Sequence, residues 1–421
     1  MATADSSPRS RRRARPNSMA SRVWFTRARI LLACLLVLFA VRPAPAQIFF
    51  PGGDPRFSSG PLSWTPALSL GEAGLDSNVF RSATHPKEDW FATVQPQVDA
   101  RLTLGAAEIQ AQGSGELVHF QRYTSERALN GRLFSRAQLN FTRVRPFAGV
   151  NVSVVKDRPN SEIDVRARRY QRGVTAGLVT QLTSRGALEL GGARQTYLFY
   201  PEATYRGVDL APRLNLVTTA ANALLRFDMT PLTAVIVDAD AARDEFTRRP
   251  GGTERFGANV GVRFAPDAII RGRATVGYQR IVPYRTDEEF GYSGWQAAVD
   301  LSYTMFGRTR VDVRTSRSTN YSSLEDRLYF VSTGGGIDIL QTLAGPVDLV
   351  LRGSIEELAY APTSLLPSRT DRYDLVGGGL SVRVGSTMRV GLNYSLDRRL
   401  TPLAIEAFER RRIYTSIRYG F

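Results

Sequence analysis

The sequence predicts an all-β chain closed into a transmembrane, antiparallel, up-and-down barrel of about 18 strands, with 16–18 as the range. Three observations predict it. Apolar residues recur at every second position over long runs. Short turns and long polar loops alternate between those runs. The last nine residues, Ile413 to Phe421, form one more alternating run that closes on an aromatic side chain.

The period is read most plainly between Asp89 and Thr103. Trp90, Ala92, Val94, Pro96, Val98, Ala100 and Leu102 share one face, and Asp89, Thr93, Gln95, Gln97, Asp99 and Arg101 take the other. The same split recurs in Leu133/Ala137/Leu139/Phe141 against Arg132/Arg136/Gln138/Asn140, and again in Phe256/Ala258/Val260/Val262/Phe264. It returns in Trp295/Ala297/Val299/Leu301/Tyr303 and in Met388/Val390/Leu392/Tyr394/Leu396. Alternation is the strand signature. Runs this long match the about 9–11 residues that a tilted strand needs to cross hydrocarbon.

Eighteen such segments begin near residues 63, 89, 107, 131, 145, 168, 186, 213, 232, 254, 269, 292, 309, 328, 347, 372, 387 and 411; those near 63, 186 and 213 are the weakest. Tight connections such as Leu104-Gly105, Asp228 to Pro231 and Gly385-Ser386 alternate with longer polar stretches such as 74–88, 156–167 and 397–410. Short periplasmic turns and long extracellular loops produce this two-sided pattern, and an even strand number puts both chain ends on the periplasmic side. In lipid every backbone N–H and C=O needs a partner, so strands span only as a closed sheet. Half of each strand then faces water, which reconciles membrane insertion with a mean hydropathy of −0.20. Trp90, Phe120, Tyr278, Tyr329, Tyr373 and Tyr394, near segment ends, are candidates for aromatic girdles.

The front of the chain reads as an export signal. Arginines precede the apolar run Ile30 to Val41, and Ala44-Pro45-Ala46 offers a small-residue cleavage site. Residues 1–46 are therefore assigned as a signal peptide; a start at Met19 would give one of ordinary length. Residues 47–62 form a Pro/Gly/Ser-rich periplasmic lead and 63–421 the barrel. The lead is too short for a plug domain, which argues against an energised siderophore transporter. Leu31-Leu32-Ala33-Cys34 has the outline of a lipobox, but Arg27 and Arg29 leave almost no apolar run before it. Cys34 is the only cysteine, so the processed chain has no thiol for a disulfide, a metal site or nucleophilic catalysis. Signal removal also lowers the net charge from +16 to +8, because residues 1–46 hold nine Arg against one Asp. The remaining charge is dispersed, which speaks against a nucleic-acid partner.

Function is expected on the water-facing parity. That parity carries Arg101, Arg132, Arg136, Arg271, Arg273, Arg310, Arg314, Arg352, Arg389 and Arg418. It also carries Asp99, Glu108, Glu116, Asp238, Asp240, Asp300, Asp312, Asp348 and Asp374. The densest group, Arg271, Arg273, Arg310, Asp312, Arg314 and Arg352, is the candidate solute-attracting constriction; its bland reading is a set of cross-strand ion pairs that stiffen the wall. Catalysis is not expected. The only histidines are His85 and His119, and parity puts His119 and Ser114 on opposite faces. No phosphate loop, serine-hydrolase elbow, zinc-protease or EF-hand pattern occurs, so no cofactor or metal is expected.

Two stretches carry resemblances. The terminal strand ending on Tyr419 and Phe421 resembles the closing strand and assembly signal of bacterial outer-membrane β-barrels. Leu75-Asp76-Ser77-Asn78-Val79-Phe80-Arg81 resembles the motif near the front of porin-like outer-membrane barrels, some of which accompany exopolysaccharide or exosortase gene clusters. Its bland reading is turn chemistry, Asx residues bending the chain as it leaves a strand. The resemblance implies a channel or accessory barrel in the bacterial outer membrane, and the charged lumen adds the expectation that small polar or anionic solutes diffuse through it. The alternative is an accessory barrel for exopolysaccharide secretion or surface attachment. Expected partners are outer-membrane lipids, lipopolysaccharide, the barrel assembly machinery, and small solutes or polysaccharide.

Overall fold

The structure is a computed structural model that describes residues 57–249, 251–285, 291–324, 327–363 and 366–420. The expectations for the signal peptide, Met19, Cys34, residues 47–56 and Phe421 lie outside the described residues.

Eighteen long strands form one closed antiparallel barrel. They are β1 (Leu62–Asp76), β2 (Asp89–Leu104), β3 (Ala107–Phe120), β4 (Ala128–Leu139), β5 (Val144–Asp157) and β6 (Ala167–Gln181). Next come β7 (Gly186–Phe199), β8 (Leu216–Thr230), β9 (Thr233–Phe246), β10 (Gly252–Phe264), β11 (Ile270–Tyr284) and β12 (Tyr292–Met305). The ring continues through β13 (Thr309–Tyr321), β14 (Tyr329–Ala344), β15 (Val347–Tyr360), β16 (Arg369–Val384), β17 (Met388–Leu400) and β18 (Phe408–Tyr419). Each strand pairs with its neighbours in sequence, and β1 pairs with β18 to shut the ring. That seam carries a bulge at Gly71-Glu72, where the register shifts between Leu70 and Ala73. A three-residue strand, Phe57–Ser59, folds back on β1. Every barrel strand starts within three residues of its sequence-read position. The segment near 213 differs: Leu210–Leu214 is a helical turn, and the strand begins at Leu216.

The connections keep two sides apart. The inner-end turns are short and tight; Gly105 and Gly385 turn there at φ of 56° and 63°, the left-handed region that glycine enters without a Cβ clash. The outer-end loops are long and are called here L1 (77–88), L2 (121–127), L3 (158–166), L4 (200–215), L7 (322–328) and L9 (401–407). Both described chain ends sit on the short-turn side.

Register fixes the two faces. Val174, Leu190, Leu225, Val237, Phe256, Val260, Val276, Trp295, Val376, Leu392 and Ile413 are large, apolar and exposed on the outside of the ring. The inward positions carry most of the charges, and hydrogen bonds such as Gln95–Glu116, Gln112–Asp99 and Asn259–Asp238 run between neighbouring strands there. An apolar outside and a wet inside are the architecture of a protein of the bacterial outer membrane. Among the described residues no helix is long and apolar enough to cross a membrane.

Three readings of single residues need correction. Asp374 points outward, not into the lumen, and pairs there with Arg372 and Arg398. Phe120 and Tyr373 point inward, whereas Trp90, Tyr278, Tyr329 and Tyr394 lie on the outer face as girdle residues should. Parity was miscounted for the first, and nearness to a strand end does not distinguish faces for the other two.

Candidate functional site in the lumen and at its outer mouth

The six sequence-selected residues occupy one strip of wall from β11 to β15. Register places Arg273 opposite Asp300, which faces Arg314, and Arg271 opposite Ser302, which faces Asp312. Asp312 then faces Asp338, and Asp338 faces Arg352. Arg310 pairs with Asp312 at 3.0 Å, and Asp338 accepts from both Arg314 and Arg352, the latter at 2.7 Å. Asp338, which the sequence reading passed over, neutralises much of this strip.

A second cationic group, of the same net charge on fewer strands, lies on β16 to β18. Arg383 faces Arg389, and Arg389 faces Arg418, so three guanidiniums stand in one row near the inner end of the lumen. Asp348 is the carboxylate beside them, at 3.6 Å from Arg383 and 3.1 Å from Arg389. Among the described residues, three positive charges stand here against one negative charge. Tyr419 sits on the outer face of the same seam, opposite Met388 and Leu68.

The buried apolar clusters of the described residues gather at the outer mouth, and its centre is L3. This loop leaves between β5 and β6 and reaches residues roughly half the ring away. Ser161 donates to Glu356 on β15, and Glu162 accepts the Ser322 hydroxyl (2.5 Å), the Ser323 N–H (2.7 Å) and the Ser323 hydroxyl (2.9 Å) from L7. Ile163 is fully buried among Phe199, Ala203, Tyr205, Leu210 and Leu214, most of them from L4. Asp164 accepts from Arg399 on β17 (2.7 Å) and from Arg81 in L1 (3.3 Å).

Arg399 is the hub of this cover. Only 1% exposed, it reaches Asp164, Asp371 (2.6 Å) and Glu406 of L9 (2.7 Å). Arg369 also pairs with Asp371 and Glu406, and Arg206 of L4 pairs with Glu406. A guanidinium this deep is tolerated because carboxylates compensate its lost hydration. Cavities of about 490 Å³ lie on both sides of L3. Arg169, Gln195, Asp244, Arg255 and Tyr321 line one; Glu72, Glu116, Arg166, Arg410 and Arg412 line the other. L3 is thus a strap across the mouth with a polar space on either side.

The Asp76-Ser77-Asn78-Val79 stretch acts structurally. Asp76 is fully buried and holds Arg410 of β18 across the seam. Its Oδ1 accepts the Asn78 N–H (3.1 Å), an Asx turn. The Asn78 side chain donates to the carbonyls of Ser82 and Glu409, and the N–H of Ser77 donates to the Arg411 carbonyl. Val79 packs with Phe91, Val118, Phe120 and Tyr414. The motif therefore fastens L1 to the last strand, and Arg81 at its end carries that anchor on to L3. The turn-chemistry reading holds, with a barrel seam added to it.

Burial also moves ionisations in L3. Desolvation, reinforced by Arg81, Arg410 and Arg166, pushes Arg158 down to about 9, so it stays charged at neutral pH. Desolvation raises Glu162 despite the opposing donors from Ser322 and Ser323. A carboxyl whose value is raised when packed favours the packed state below its ordinary value, about 4.3; that contribution is lost as pH rises through the raised value. Mild acidification should therefore slow proteolytic cutting within L3, and Glu162→Gln should flatten that dependence. A cleavage rate in the wild type that falls no more on acidification than it does in Glu162→Gln would contradict the expectation.

The sequence missed Asp164, Arg369, Asp371, Arg399 and Glu406. Arg369, Asp371 and Arg399 sit on inward parity and were open to selection. Asp164 and Glu406 lie in loops, where no period exists to reveal their direction. His119 is on the outer face and Ser114 on the lumen face, as parity required. No group of acidic, histidine or cysteine side chains that could hold a metal occurs among the described residues.

No protein-family model matches the sequence, and no curated protein matches it. Among solved structures, the barrel is similar to the outer membrane protein OpdK of Pseudomonas aeruginosa, with 14% identity and a TM-score of 0.48, over 85% of this chain and 99% of that one. A BenF-like porin of Pseudomonas fluorescens shares 11% identity at a TM-score of 0.47, again over 85% and 99%. The siderophore receptor PirA of Pseudomonas aeruginosa shares 11% identity at a TM-score of 0.41, over 85% and 80%.

Proposed function

We propose that this barrel is an outer-membrane channel through which small polar solutes, anions above all, diffuse passively. One observation carries the reading. The closed ring presents ionised side chains along its lumen, and at the inner end three guanidiniums, Arg383, Arg389 and Arg418, gather around the single carboxylate of Asp348. Fixed charge on a pore wall concentrates the opposite ion and biases passage. The strip from Arg271 to Arg352 spreads its five guanidiniums and three carboxylates over five strands, so in this reading it stiffens the wall more than it selects.

Planar-bilayer recording of the refolded chain tests the proposal. Stepwise openings are expected, with a reversal potential in a potassium chloride gradient that favours chloride. Arg389→Glu with Arg418→Glu should reverse the local charge and lower the chloride preference by at least about twofold. An unchanged reversal potential would sink the anion preference. A silent bilayer would instead favour an accessory barrel for exopolysaccharide secretion or surface attachment, the reading supported by the L3 strap.

A further inference from the structure

On most of the outer face, guanidiniums near the loop end have carboxylate partners. Arg243 pairs with Glu254 (2.7 Å), Arg372 and Arg398 with Asp374 (2.7 and 3.0 Å), and Arg411 with Glu409 (2.6 Å). The sector of β6 and β7 departs from this rule. Arg168, Arg172 and Arg194 all point outward and are exposed. Among the described residues, no Asp or Glu occupies an outward position on any strand from β4 to β8.

The three are neighbours by register. Arg172 faces Thr196 and Arg194 faces Val174, so the two guanidinium stems are diagonal partners about 7 Å apart at the backbone. Arg168 lies four residues further toward the loops on the same face, about 13 Å along the strand. Its guanidinium lies over the Tyr200 ring, 4.6 Å from the centroid, and Tyr170 sits between Arg168 and Arg172. Below Arg172 the outer face turns apolar, with Val174 (level with Arg194), Ala176 and Leu178 on β6 and Leu190 and Leu188 on β7. The patch therefore lies at the upper edge of the hydrocarbon band, where lipid head groups meet it on the loop side.

Three guanidiniums with no carboxylate on the same face of their own or the adjoining strands, at that height and beside tyrosines, match a multiply phosphorylated head group. Guanidinium binds phosphate through paired, charge-assisted hydrogen bonds. We propose that Arg168, Arg172 and Arg194 form a docking surface for the phosphorylated glycolipid head group of the outer leaflet, the lipid A part of lipopolysaccharide. The apolar residues below would lie along its acyl chains. This inference concerns the outside of the ring and does not depend on whether the lumen conducts.

Native mass spectrometry and fluorescence titration of the detergent-solubilised full chain with lipid A test it. Wild type should bind bis-phosphorylated lipid A at least tenfold more tightly than lipid A stripped of phosphate. Arg168→Gln, Arg172→Gln and Arg194→Gln together should abolish the difference. Arg372→Gln with Arg398→Gln and Arg411→Gln, which removes guanidiniums already paired, should keep it. Heat-modifiable gel migration verifies that each variant is folded. Equal wild-type affinity for both lipids overturns the proposal without any variant, and so does equal loss in the two triple variants.

Discussion

Replacing Arg399 by methionine is expected to cost about 3–5 kcal/mol of barrel stability, measured by urea unfolding in lipid vesicles. The change leaves Asp164, Asp371 and Glu406 buried beside one another with a central cation gone. Arg369 and Arg81 retain some pairing, so the lower end of that range is the better expectation. Arg411→Met is the control. Its partner Glu409 is exposed, and solvent screening reduces the loss to less than about 1 kcal/mol. The same Arg399 substitution should loosen L3 and raise single-channel conductance, because the strap loses the principal partner of Asp164. Lower stability with unchanged conductance would show that L3 does not limit passage.

The second large effect is expected at the seam. Asp76→Ala removes the main partner of Arg410, leaving that buried guanidinium with only Asp397 at 3.4 Å. It also removes the acceptor for the Asn78 N–H. The expected loss is again about 3 kcal/mol or more, seen as an earlier unfolding midpoint. A double-mutant cycle with Arg410→Met separates the ion pair from the turn. If the pair dominates, the double variant should recover much of the loss, since a buried pair replaced by apolar atoms is often near neutral. No recovery would place the energy in the Asx turn and the L1 contacts.

The fold was legible because its signal is local. Two-residue alternation needs only neighbouring positions, and lipid outside and water inside make it regular across the strands. Turns and loops alternate for an equally local reason, since each hairpin reverses the chain on one side of the membrane. Errors came where local rules stop. Asp374 is the exception, since it shares two-residue parity with the outward-facing Val376 and Arg372. Leu210–Leu214 form a helical turn within L4 that no period announces.

The candidate site was legible only in part for a related reason. Parity says that Arg314 and Arg352 face water, but not that Asp338 lies between them. It names Arg389 and Arg418, but register alone sets them side by side with Arg383. Glu162, Asp164 and Glu406 are loop residues, and their roles arise from strands and loops far away in the chain.

By itself, the sequence determined the ring: strand number, closure, the lipid-facing and water-facing sides, and the side on which long loops gather. Only the tertiary structure decided what fills the mouth and how charge is distributed around the wall. Alternation is written residue by residue, whereas charge balance depends on partners brought together from positions hundreds of residues apart. The strap across the mouth, anchored through Arg399, belongs entirely to that second kind of information.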